Sequence, residues 1–117
     1  MPRVACERPE AFERRLRKVL KKYPKAEKEI DKEILAVIRK PDIGDRIPGF
    51  GDLRLHKLRI GLKAYGIGKS GGLRLIYLHV PGVGITLVTI YAKPDYRGEH
   101  EVRADIRAAL REILADP

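Results

Sequence analysis

No acidic residue stands between Leu53 and Pro94, although that stretch carries seven bases: Arg54, Lys57, Arg59, Lys63, Lys69, Arg74 and Lys93. Elsewhere the charges nearly balance, with 14 bases against 10 acids in residues 1–52 and 4 against 6 in residues 95–117. The net charge of +9 is therefore regional. A chain that gathers its uncompensated cations in one segment is suited to an anionic partner, and nucleic acid is the first candidate.

Cysteine is nearly absent too. With Cys6 alone, the chain can form no internal disulfide and no cysteine-based metal site, which points to a reducing, cytoplasmic setting and to Cys6 as a small packing residue. Long apolar runs are missing. "MPRVACERPEAFERRLRKVL" has no continuous apolar region and carries acids, so no signal peptide is expected. Nothing approaches the roughly 18 apolar residues of a membrane span, and no membrane partner is expected. His56, His79 and His100 are scattered, and no His/Asp/Glu set stands at metal-ligand spacing. The expectation is a protein with neither metal nor other cofactor.

What is present reads as one α+β domain covering residues 1–117. Phe12, Leu16, Val19, Leu20 and Tyr23 recur at helical spacing. Pro9 fits the first turn of that helix, and Pro24 drives Tyr23 toward extended geometry and ends it. Ile30, Ile34, Val37 and Ile38 mark a second helix, its Lys/Glu side a solvated face, and Pro41 stops it. "PDIGDRIPGFGD" is a turn-filled connection. The periodicity then becomes two: Leu58 and Ile60 alternate with Lys57 and Arg59, and "LRLIYLHV" and "ITLVTIYAK" are strands joined by "PGVG". These last two are apolar on both faces, as central strands are. Val102, Ile106, Ala109, Leu110 and Ile113 line a closing helix, and Pro2–Glu7 could add a first strand. The expected order is (β)ααβββα, a small antiparallel sheet with helices packed over one face.

"YGIGKSGGLRLIY" contains G-x-G-x-x-G in Gly66, Gly68 and Gly71. A dinucleotide loop needs a helix after its glycines, because the helix N-terminus holds the pyrophosphate. Here a strand follows. A Walker A loop needs glycine where Lys63 stands. The stretch is instead a twelve-residue connection with five glycines, Gly61 to Gly72. It reads either as a flexible hairpin connection or as a mobile basic rim through which a polynucleotide backbone is received.

The segment "HKLRIGLKAYGIGKSGGLRLIYLHVPGVGITLVTIYAK" resembles the RelE-like toxins of bacterial type II toxin–antitoxin systems, and the HigB-like branch in particular. The resemblance rests on a basic K-x-R strand, a "GK-x-GG-x-R-x-IY" turn into strand, an "L-x-x-IY-x-K" strand and the upstream "P-x-x-G-D-x-I-x-G-x-G". It covers about residues 41–93, while the flanking helices agree in order more than in sequence. It implies a RelE-like fold and a ribosome-dependent endoribonuclease that cuts mRNA without metal and is neutralised by an antitoxin protein. ParE-like relatives of the same fold inhibit DNA gyrase by binding, and a non-catalytic RNA-binding module is a third reading.

Cleavage through the 2′-hydroxyl requires a positioned phosphate, stabilisation of its extra negative charge and transfer of two protons. Arginine suits the second task through its planar, permanently charged fork. Lys57 and Arg59 share one face of their strand and match the family's basic catalytic strand, against the alternative of a solvated face. Arg74 matches the arginine of "R-x-IY", against one that snorkels or pairs structurally. Tyr91 and Lys93 share a face and match "IY-x-K"; Tyr91 is either a core aromatic or a ring that stacks on a base or helps proton transfer. Arg54, Lys63, Lys69 and Arg97 are expected to bind messenger or ribosomal phosphate. In "PDYRGEH" the family's acid–base pattern is not matched at a recognisable spacing, so His100 and Tyr96 stand only as possible acid–base groups.

Overall fold

The apolar spacing at the N-terminus becomes helix α1, Glu10–Lys22, with Phe12, Leu16 and Val19 buried. The computed structural model describes residues 5–96 and 98–115. Pro9 precedes α1 as its N-cap rather than sitting inside its first turn, and its carbonyl accepts from the backbone N–H of Phe12 and Glu13. Acids in the first turn and lysines in the last suit the helix dipole. Tyr23 leaves the helical region before Pro24 with φ −128° and ψ 69°, short of the extended geometry expected; a short 3-10 turn covers Pro24–Ala26, and α2 runs Glu27–Arg39, stopping before Pro41.

Among the described residues five strands form one sheet: β1 Ala5–Glu7, β2 Asp45–Arg46, β3 Leu55–Ile60, β4 Leu73–Val80 and β5 Gly84–Ala92, in the order β1-β5-β4-β3-β2. The expected first strand exists over Ala5–Glu7; the rest of Pro2–Glu7 lies outside the described residues. It pairs parallel with β5, so the sheet is mixed; the other pairings are antiparallel. β2 is a two-residue edge strand within the turn-filled connection. The apolar β4 and β5 are central, as their two-sided hydrophobicity requires. The last described element is α3, Glu99–Ala115. Among the described residues no helix is long and apolar enough to cross a membrane.

Helices cover both faces rather than one. On the first face α1 and α2 pack on Ile60, Leu73, Leu75, Tyr77, Leu87 and Ile90. On the second, Ile106, Ala109 and Leu110 of α3 pack on Leu55, Ile76, Leu78 and Val88, with Ile47, Phe50 and Leu53 of the connection closing the edge. The two helix layers are tied by Arg15 of α1 and Asp105 of α3, a bidentate pair with Nη2 donating to Oδ1 at 2.8 Å and Nε to Oδ2 at 3.3 Å.

A register shift between Ile76 and Tyr77 decides which side chains reach the second face. Ile76 pairs with Thr89 but Tyr77 with Leu87, so Val88 is an extra residue on β5. Without it, Tyr91 would share the face of Ile85 and Leu87 and enter the first core. With it, Tyr91 stands directly opposite Arg74.

Candidate functional site

The second face is only partly covered by α3. Beyond the helix's first turn the sheet is open, in a cleft of about 350 Å³ lined by Lys57, Arg59, Arg74, Tyr91 and Lys93, with Tyr96, Gly98, Glu99 and Val102 on the α3 side. All five residues expected to carry the chemistry therefore line one concavity. Strand alternation brings Lys57, Arg59 and Arg74 to this face, the bulge brings Tyr91, and Lys93 opens the 3-10 turn that leaves β5. The cleft is not free of acids, since Glu99 stands in its wall, 3.5 Å from Arg103.

Arg59, Arg74 and Tyr91 form one row across three strands: Arg59 is paired with Arg74, and Arg74 with Tyr91. Like charges directly opposite one another in a sheet are destabilising. Arg74 is moreover only 6% exposed. Among the described residues none of Lys57, Arg59, Arg74 and Lys93 pairs with a carboxylate. Burial, and then the Arg59 charge, pull the Arg74 guanidinium below its ordinary value; at that height it remains a cation.

Arg74 also has a structural task that its sequence context did not reveal. It donates to the carbonyls of Lys69 (2.9 Å), Ser70 (2.9 Å) and Leu73 (3.3 Å). Of the five N–H donors of a guanidinium, Nε and one on Nη2 are left for an anion. The glycine connection is correspondingly a folded element, not a loose rim. It contains the 3-10 turns Lys63–Tyr65 and Lys69–Gly71 and a bridge between Leu62 and Ile67. Leu62 is buried in the first core, and the Tyr65 hydroxyl accepts from the Lys25 N–H at 2.9 Å.

The outlying cations are dispersed. Lys69 is exposed beside the Arg74 contacts, whereas Lys63 lies in a separate recess with Lys25, Lys28 and Lys32. Arg54 is exposed and does not line the cleft. Arg97 lies outside the described residues.

Neither acid–base candidate from "PDYRGEH" is free at the cleft. His100 is exposed in the first turn of α3 and does not line it. The Tyr96 ring does line it, 4.7 Å from Tyr91 and edge-on, but its hydroxyl interacts with the Asp105 carboxylate. Burial and the Asp105 carboxylate push Tyr96 far above the usual phenol range, so it is no base. Burial also raises Tyr91, partly offset by Arg74, and keeps its hydroxyl protonated near neutrality.

Asp105 anchors this wall through Arg15 and the Thr89 hydroxyl at 3.0 Å. Burial pushes its carboxyl up, but the bonds and charge of Arg15 and the bonds from Tyr96 and Thr89 outweigh that and hold it below the ordinary carboxylate value. A depressed folded-state pKa stabilises above the unfolded value of about 3.9 and is lost as pH falls through the folded value. Asp105→Asn should cost about 2 kcal/mol in urea unfolding at neutral pH. The gap to wild type should close as the pH is lowered from about 4 toward 2. An equal gap at both ends of that range would rule out the linkage.

The expectation that the histidines are scattered holds for the sequence only. His56 on β3 and His79 on β4 are near neighbours, ring centroids 6.3 Å apart, and Asp42 lies beside them. This cluster is built on the first face, that of Tyr77, and not in the cleft.

Compared with protein-family models, curated proteins and solved structures, the chain finds no match.

Proposed function

We propose that this protein is the toxin of a type II toxin–antitoxin pair, a ribosome-dependent endoribonuclease that cuts mRNA in the cytoplasm. One observation carries the reading: a buried arginine faces a second arginine across the sheet, and neither has a carboxylate partner among the described residues. Such a pair costs stability unless a ligand supplies the anion. A phosphodiester in the cleft would do so, and the matching motifs of residues 41–93 point to RNA.

In this reading Arg59 and Arg74 grip the non-bridging oxygens of the scissile phosphate, with Lys57 and Lys93 adding positive charge at the cleft walls. The 2′-hydroxyl gives its proton to solvent water as its oxygen attacks the adjacent phosphorus; the P–O5′ bond breaks, a 2′,3′-cyclic phosphate forms and the 5′-oxygen leaves. Charge accumulates on the phosphate oxygens in the transition state, where preformed cations are most effective. Tyr91, protonated and beside Arg74, is suited to give a proton to the leaving oxygen or to stack on a base. An antitoxin protein is the implied partner, and it would be expected to screen these same cations.

Purified protein added to a translation reaction should cut the message only when ribosomes are present. It should leave gyrase supercoiling untouched. Intact message with blocked supercoiling would replace the reading with that of a ParE-like gyrase inhibitor, and RNA binding without any product would reduce it to a binding module.

A further inference from the structure

Apart from the cleft, the described residues contain a second group of chemically capable side chains. Asp42, His56 and His79 each offer a ligand atom within 4.8 Å of the others. They come from three separate segments, so their approach is a product of the fold. Asp42 lies in the connection after α2, where the Tyr77 hydroxyl fastens the backbone by accepting from the Gly44 N–H (3.0 Å) and donating to the Pro41 carbonyl (2.7 Å). His56 is stacked on the Tyr77 ring, centroids 5.1 Å apart and nearly parallel.

The polar groups are arranged as metal ligands usually are. His56 Nδ1 lies 2.9 Å from the Gly44 carbonyl, which can only accept, so this nitrogen carries the proton and Nε2 carries the lone pair. A backbone carbonyl on one ring nitrogen is the common second contact of a histidine that binds metal through the other. His79 Nδ1 is cut off from solvent and has no hydrogen-bond partner among the described residues. It faces Asp42 Oδ1 at 3.8 Å, too long for a hydrogen bond. A buried nitrogen without a partner calls for one, and an unseen ion is among the ordinary explanations. The His79 side chain is 15% exposed and that of Asp42 78%, so the carboxylate can close on an ion from the open side.

The geometry points to a divalent transition-metal site formed by His56, His79 and Asp42, of the two-imidazole, one-carboxylate class that suits zinc. The ion clamps the connection after α2 onto strands β3 and β4. This inference is independent of the proposed nuclease reading, since it concerns the opposite face of the sheet and its readout is binding and stability.

Zinc added to metal-stripped, untagged protein should raise the thermal midpoint by on the order of 10 °C at a hundredfold excess over Kd, and magnesium should not. His79→Gln should abolish the zinc shift, and Asp42→Asn should weaken zinc binding at least ~10-fold by calorimetry. Because Asp42 is an exposed loop residue, its variant decides the matter if His79→Gln fails to fold. Cys6→Ser and His100→Gln should bind zinc as wild type does. The inference falls if zinc gives no shift, if Asp42→Asn binds as tightly as wild type, or if Cys6→Ser or His100→Gln removes the binding.

Discussion

Replacing Arg74 with alanine is expected to slow message cleavage by at least ~10²-fold, the loss typical of removing one donor that meets transition-state charge. The side chain has two tasks, and the experiment has to separate them. As an anchor, Arg74 holds the carbonyls of Lys69 and Ser70, both on exposed residues. Water can replace those bonds, so losing the anchor should cost about 1 kcal/mol. Part of that cost is offset, because the substitution also removes a buried cation that faces Arg59. The chemical task is different, since nothing but a cation with a planar fork supplies it. Stability should therefore change little while the single-turnover rate collapses, and Arg74→Lys should recover only part of the rate. A rate loss under about tenfold in the folded alanine variant would leave Arg74 a loop anchor and nothing more.

Gly72→Ala should be the most damaging small substitution in the chain, lowering stability by about 4 kcal/mol and the thermal midpoint by at least about 10 °C. A methyl group there would sit far inside contact distance of the Ile60 carbonyl oxygen, with Ile60 C and Gly61 Cα also within 3.2 Å. All three are backbone atoms, so no rotamer change relieves the clash. The ends of β3 and β4 would have to separate beside Arg59 and Arg74. The Lys93 N–H, which donates to the Gly72 carbonyl at 3.0 Å, would move with them. Gly68→Ala is the matched control from the same connection. Its φ of −77° suits any residue and its Cβ would meet nothing within 4 Å. It should leave the midpoint unchanged or raise it slightly. Equal stability of the two variants in a thermal melt would mean that the chain does not approach itself at Gly72 as described.

The site was more legible than the way it is held together. Strand parity alone put Lys57 and Arg59 on one face, as the register bears out, and the same register opposes Arg74 to Arg59. Parity failed after Leu87, where the bulge turns Tyr91 onto the cleft face. No glycine or proline in "ITLVTIYA" marks that bulge, so only the pairing reveals it. The glycine connection suggested looseness because glycine count speaks to backbone freedom. It says nothing about the arginine five residues on that binds the Lys69 carbonyl. Tyr96 was a fair acid–base candidate by residue type, but its partner Asp105 lies on the next helix, and Arg15, which anchors Asp105, is 90 positions from that aspartate. His56 and His79 likewise appear unrelated until β3 and β4 pair.

The most direct measurement uses ribosomes programmed with two messages that differ only in a 2′-deoxy substitution at the cut position. With the protein present, the all-ribose message should be cut there to a 2′,3′-cyclic phosphate end, and the deoxy message should stay intact at that position. Cleavage of both messages, or of neither, would contradict a basic cleft that works through the 2′-hydroxyl.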